Sequence, residues 1–257
     1  LIRIYVVLLT ASEWLWNNVD ESRRHLVDPY KTLLGYFNSL RELGGMQRRI
    51  EDDVATRAFR VERSDRPGLA QRVLYPESTV QELTSRIRSS RIPEILDRLE
   101  VPFTDSDPEH GKPMDVVLAT NMISVGVDVQ RLGLMVVSGQ PKTTAEYIQA
   151  TSRVGRSIER PGLVVTALNW ARPRDLSHYE QFIQYHSVFH RYVEALSVTP
   201  FAQRALDRGL TGILASLVRL SGTEYSDNHG AGRVRGAGHF PEVIRTIADR
   251  AVNTAIG

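Results

Sequence analysis

The sequence predicts an α/β domain, a parallel sheet with helices on both faces, followed by an α-helical C-terminal extension. Three observations carry this. Short apolar runs of strand length recur at 32–37 (TLLGYF), 115–120 (DVVLAT), 132–138 (LGLMVVS) and 162–168 (GLVVTAL), and 80–86 could be a further strand. Segments of helical spacing lie between them, and strands alternating with helices pair in parallel. After Asn169 the strand pattern stops and only helical spacing continues.

Each element has its own signal. Residues 1–28 carry no clear period, although Trp14, Leu15 and Trp16 call for a packing partner. Asp28-Pro29 reads as a boundary. After the run 32–37, residues Leu40, Leu43, Gln47, Ile50 and Val54 predict a helix from about Ser39. Pro67-Gly68 interrupts, and 80–86 is a candidate strand. Ser90 can cap a helix through Ile95 and Leu99, with Pro93 tolerated in its first turn. The stretch 101–114 holds Pro102, Pro108, Gly111 and Pro113 and reads as a loop. Thr143 and Glu146 make a capping-box pair for a helix reaching Arg153.

Past the last strand, Ser177 and Glu180 form another such pair. They predict one long helix with Phe182, Ile183, His186, Phe189, Val193 and Leu196 on one side. A helix over 202–220, a Gly-rich flexible loop over 221–239 and a helix over 241–256 complete the chain. The expected domains are a leading segment 1–29, helical or partly ordered, a sheet domain 30–170 and the helical extension 171–257.

The 257 residues are 42% hydrophobic and 24% charged, ordinary for a globular chain and unlike a disordered one. No apolar run has the ~18–20 residues of a membrane span, and Arg3 breaks the apolar start, so neither membrane insertion nor a signal peptide is expected. Cysteine is absent, which excludes disulfides and thiolate zinc sites and fits a cytoplasmic setting. The net charge of +2 is too small to diagnose nucleic-acid binding by itself. The only lysines are Lys31, Lys112 and Lys142, so basicity is almost all arginine. The first residue is Leu, as expected of a fragment or processed chain.

Two segments carry chemistry. In 118–129 (LATNMISVGVDV) a buried strand ends at Thr120 and a loop then carries Gly126 and Asp128. Ligands of doubly wound sheets sit at the carboxyl ends of strands. A hydroxyl there can donate to a backbone phosphate, Gly126 allows close approach, and Asp128 can accept from ribose hydroxyls. In 149–156 (QATSRVGR) Arg153 and Arg156 are three apart and share a helix face. Paired guanidiniums beside a glycine can neutralise a transferring phosphoryl group.

Together these segments resemble motifs V and VI of superfamily 2 helicases, in order and in spacing. Ser152 stands where that family commonly has glycine. The runs GYFNSLRELGG, ELTSR, the stretch 122–156 and NWARPRDLSHYEQF are similar to the helicase subunit of DISARM anti-phage systems, over roughly residues 30–220. The resemblance implies a RecA-like fold. It implies that Arg153 and Arg156 reach the γ-phosphate of ATP, with Gln149 coupling the sites and Gly126 and Asp128 on the ribose side. It implies that Thr120, Ser39, Thr84 and Arg86 touch the nucleic-acid backbone, with duplex DNA the expected substrate and defence-system subunits possible partners. Taken alone, Ser39 is equally a helix cap, and Thr84 and Arg86 are equally structural.

A phosphate-cradling Gly-x-x-x-x-Gly-Lys-Ser/Thr loop and an Asp-Glu box are absent from this sequence. ATP and Mg²⁺ are therefore expected to be held mainly by an N-terminal RecA-like domain, and the chain alone is expected not to hydrolyse ATP. The alternative is a non-catalytic helicase-like module that binds nucleic acid or docks a partner. His186, His190 and Glu194 recur at four-residue spacing, but without a His-Glu-x-x-His pattern no metal site is expected. Arg172-Pro-Arg174-Asp175 reads as a rigid joint or a backbone contact, the joint being favoured.

Overall fold

A computed structural model describes residues 1–104, 111–120, 128–194, 201–227, 229–236 and 238–255. The chain divides into two compact units, Leu1–Glu194 and Ala195–Gly257. Residues 171–194 thus belong with the sheet.

The first unit opens with α1 (Ile2–Asn18) and a short α2 (Arg24–Val27). Strand β1 (Leu33–Phe37) follows, then α3 (Leu40–Arg49), which continues through a π-turn (Ile50–Val54) into α4 (Ala55–Phe59). Next come α5 (Pro76–Thr79), β2 (Val80–Leu83), α6 (Ile92–Glu100) and β3 (Val116–Ala119). Strand β4 (Leu134–Ser138), α7 (Thr144–Thr151), β5 (Leu163–Ala167), α8 (Pro173–Glu180) and α9 (Phe182–Ser187) complete it.

All five strands pair in parallel in the order β2-β3-β1-β4-β5. Each of the five expected runs contains one of them. The middle strands are apolar throughout because both faces are covered. Alternate residues of β1 serve opposite cores. Leu33 and Phe37 face Tyr5 and Leu9 of α1 and Leu43 and Met46 of α3. Leu34 and Tyr36 face Ile95 and Leu99 of α6 and Tyr147 and Ala150 of α7. Each such buried side chain contributes roughly 1.5–3 kcal/mol through burial. The leading segment is therefore core structure, since Tyr5, Val6 and Leu9 of α1 are buried against one sheet face.

The single long helix expected from Ser177 is not formed. Helix α8 starts earlier, at Pro173 behind Arg172, and Gln181 (φ −105°, ψ 17°) separates it from α9. Val188 (φ −139°, ψ 26°) ends α9, and a 3-10 turn, Phe189–Tyr192, follows. These breaks turn Tyr185 into the core while Ile183 stays exposed. Ser90 likewise lies in a 3-10 turn, and α6 has no side-chain cap.

The second unit holds α10 (Gln203–Leu220) and α11 (Phe240–Ala255). The Gly-rich stretch between them, expected to be a flexible loop, contains 3-10 turns at Thr223–Tyr225 and Gly230–Gly236. No helix among the described residues is long and apolar enough to cross a membrane.

Candidate functional site

The predicted residues fall at opposite ends of the sheet. At the carboxyl end, Ser39 follows β1 and caps α3, its hydroxyl accepting from the Glu42 N–H at 3.3 Å. Asn38, beside it, donates to the carbonyls of Ser138, Gly139 and Gln140 at 3.1–3.3 Å, tying the end of β1 to that of β4. Thr84 follows β2 and is buried. Its hydroxyl donates to the Glu82 carboxylate and accepts from the Arg86 N–H at 3.3 Å. Exposed Arg86 reaches the Leu40 carbonyl at 3.3 Å, which brings it beside Ser39. Thr120 closes β3 and is buried. Gly126 lies outside the described residues.

Asp128 and the two arginines stand at the amino end. The chain between Asp128 and β4 is anchored there by Arg131, which pairs with Asp28 at 2.9 Å and donates to the Thr32 hydroxyl at 3.0 Å, just ahead of β1. After α7 runs back along the sheet, Gly155 donates to the Leu132 carbonyl at 2.9 Å. The arginine turn therefore packs where β4 and β5 begin. The expected placing of the whole Thr120–Asp128 segment at the carboxyl ends is corrected: Thr120 is there, and Asp128 is at the other end.

Arg156 pairs with the Asp128 carboxylate and donates to the Ser152 carbonyl at 3.1 Å. Its side chain is 25% exposed and that of Asp128 is 70% exposed, so the pair is open to a ligand. Arg153 shares their field. Partial burial, and then the charge of Arg156, hold its guanidinium below the usual value, while Asp128 acts in the opposite sense. Gln149 is exposed on the last turn of α7. Glu100, at the end of α6, is raised by burial, with Asp128 adding to the shift.

The turn depends on a contact between two glycines. Gly155 has φ +68°, and a Cβ there would lie 2.3 Å from the Gly162 nitrogen. Gly162 gives no local signal in the sequence, because its role is set by a neighbour across the turn.

Two other clusters are structural. Arg72 binds Asp115 at 2.5 Å and the Ser12 hydroxyl at 2.9 Å beneath Phe103, and Lys31 pairs with Glu13 there. His186 is held by Tyr147 at 2.9 Å and the Phe182 carbonyl at 2.8 Å. Glu194 instead accepts from the Thr144 N–H at 2.8 Å, joining Thr143 at the start of α7. Its carboxyl is held low by that bond. Among the described residues, no three His, Asp or Glu side chains converge as a metal site.

The parallel sheet thus carries guanidiniums and an aspartate at one end, and hydroxyls and arginines at the other. Residues 69–157 match the family described as the helicase conserved C-terminal domain. A segment of helicase C-terminal type thus lies within the five-stranded parallel sheet unit. It is 49% identical over 235 residues to the DISARM protein DrmA of Bacillus paralicheniformis (strain ATCC 9945a), a match covering 91% of this chain and 20% of that protein. The chain thus spans about a fifth of the length of that relative. Among solved structures it is similar to the DUF1998 helicase MrfA bound to DNA and AMPPNP, with 18% identity, TM-score 0.48, and 76% of this chain and 21% of that chain covered. It is also similar to Mycobacterium smegmatis helicase Lhr bound to ssDNA and AMP-PNP, with 16% identity, TM-score 0.44, and 74% and 20% covered.

Proposed function

We propose that this domain supplies the second face of an ATP-driven DNA motor acting in anti-phage defence, as its similarity to DrmA suggests. The first face, with the phosphate-gripping loop, is carried by a separate RecA-like domain. The observation that carries the reading is the Arg156–Asp128 pair with Arg153 in its field, exposed at one end of the sheet.

Two guanidiniums and one carboxylate suit a nucleotide: the arginines match phosphate oxygens and the carboxylate matches ribose hydroxyls. In this reading magnesium belongs with the opposing domain, beside the phosphate-gripping loop. ATP supplies the phosphoryl group that is transferred to water. Arg153 and Arg156 supply positive charge where that group develops negative charge, as cationic clamps do in other phosphoryl-transfer sites. Asp128 holds Arg156 in place until the domains close and then accepts from the sugar. Gln149 is a positioning residue on the same turn.

At the other end of the sheet, Thr120, Ser39 and Arg86 hold a nucleic-acid strand through its backbone. Thr84 acts from within by fixing the Arg86 main chain. The strands separating the two ends are about 17 Å long. The chain leaves β3 at Thr120 and reaches Asp128 eight residues later, so one segment touches both ends. Domain closure on the nucleotide therefore moves the grip on the strand.

The test is DNA-stimulated ATPase of the chain joined to its phosphate-binding domain. Arg153→Ala and Arg156→Ala should each lower turnover by on the order of 10³-fold. Arg156→Ala should lower the unfolding free energy by less than about 1 kcal/mol, because an ion pair open to solvent on its Asp128 side contributes little. Turnover unaffected by both substitutions would leave a docking module instead. Magnesium-dependent hydrolysis by this chain alone would refute the division of labour.

A further inference from the structure

A cleft of about 700 Å³ opens at the carboxyl ends of β1, β4 and β5, lined among others by Ser39, Arg41, Gly45, Arg49, Trp170 and Arg172. On its far side α3 continues into a second hollow that includes Gly44, Arg48 and Arg86. The first hollow extends from Ser39 across the ends of β4 and β5, and the second reaches Arg86 on the β2 side of α3.

Three features there have no explanation within the domain. Trp170 is 84% exposed. Its turn is nevertheless held, with the Ala171 N–H on the Asn169 side chain at 3.0 Å and the Asn169 N–H on buried Asp175 at 3.0 Å. A large aromatic is thus presented to solvent on a fixed support. Gly44 and Gly45 lie within α3, and a Cβ on either would meet nothing within 4 Å. Glycine costs a helix about 1 kcal/mol relative to alanine, and no packing in the domain requires it. Finally, five arginines (41, 48, 49, 86 and 172) line these hollows against Glu42 and Glu51, although the whole chain carries only +2. Arg172 is paired with Glu42, whereas Arg41, Arg48 and Arg49 have no ion-pair partner among the described residues.

An arginine-rimmed trough with an open glycine floor and one rigid aromatic has the chemistry of a single-strand binding groove. Guanidiniums track phosphates, small residues allow backbone approach, and the ring stacks on a base. We infer that the trough along α3 seats one unpaired nucleic-acid strand, its sugar-phosphate backbone over Gly44 and Gly45 and one base stacked on Trp170. The inference rests on the motor reading and adds a stacking site to it.

The experiment measures binding of the 257-residue chain to labelled oligo-dT, and to a labelled abasic strand of equal length, by fluorescence anisotropy. Trp170→Ala should weaken oligo-dT binding on the order of tenfold and leave the abasic strand unaffected, since only a base can stack. Trp170→Phe should recover most of the loss. Gly45→Ala should raise the thermal midpoint yet weaken both strands, a pairing that a merely structural glycine would not give. If Trp170→Ala has no effect, or weakens both strands equally, while Arg41→Ala and Arg49→Ala reduce binding, stacking is overturned and the motor reading stands. Unchanged affinity in Gly45→Ala overturns the backbone seat. Failure of the unsubstituted chain to bind either strand overturns both this inference and the nucleic-acid role.

Discussion

At Gly155 the backbone turns through φ +68° with the Gly162 main chain directly against it. Alanine at 155 meets two penalties, a left-handed conformation costing about 1–2 kcal/mol and an overpacked contact costing about 1–3 kcal/mol. Gly155→Ala should therefore lower unfolding free energy by roughly 2 kcal/mol or more in urea titrations. It should also displace Arg156, because that arginine follows directly and bonds back to the Ser152 carbonyl. A variant of unchanged stability would show that the turn relaxes freely. At this scale the motif was legible: Gln149, Arg153, Gly155 and Arg156 declare themselves by spacing. Asn38 did not, because its partners Ser138, Gly139 and Gln140 lie far along the chain, and Gly162 did not, because its contact is made across a turn. The end of the sheet occupied by Asp128 was also hidden, since a loop's sequence does not say how far back along a strand it returns.

Elements were legible where periodicity and burial agree. Four strands stood out because each is a short apolar run bounded by turn residues, whereas β2 (VQEL) is half polar and was only a candidate. The helix expected from Ser177 failed because its apparent stripe competes with tertiary contacts: Tyr185 is drawn to Thr144 at 3.3 Å and Gln140 at 3.4 Å. The role of α1 was invisible because its partners, Gly35 and the face of β1, come later in the chain. A buried charge network joins α1 to β1 and β3. Burial first, and then Arg72, push the Lys31 ammonium down to about 8, partly offset by Glu13 and Asp115. Because its folded value lies below the unfolded one, the unfolded chain binds more protons between them. Stability should thus rise with pH from about 8 towards about 10. The urea midpoint should climb over that interval, and Lys31→Met should flatten the climb. Identical slopes in the two proteins would remove Lys31 as its source. Above about 10 the trend should reverse, since burial raises Tyr5 and Tyr36 and the unfolded tyrosines ionise first.

For the first unit as a whole, the sheet separates two chemistries that the motor reading must connect. Arg156 lies where β4 and β5 begin, whereas Arg41, Arg49 and Arg172 line the cleft where β1, β4 and β5 end, and Arg48 lies across α3 from them. The screening length is about 10 Å at 0.1 M salt, shorter than the strands between them, so neither charge cluster feels the other strongly. Substitutions at the two ends should then give non-overlapping defects. Arg156→Ala should leave the affinity of the isolated chain for oligo-dT, and its salt dependence, unchanged. Arg48→Ala and Arg49→Ala should each flatten the plot of log affinity against log salt by about 0.7 if each arginine neutralises one phosphate of a single strand. In the chain joined to its phosphate-binding domain, coupling should appear only during turnover: Arg48→Ala should raise the DNA concentration needed for half-maximal ATPase, whereas Arg156→Ala should lower the plateau. Equal loss of DNA affinity from substitutions at both ends would mean that the strand runs past the arginine turn, and the separation of nucleotide and nucleic acid across the sheet would have to be given up.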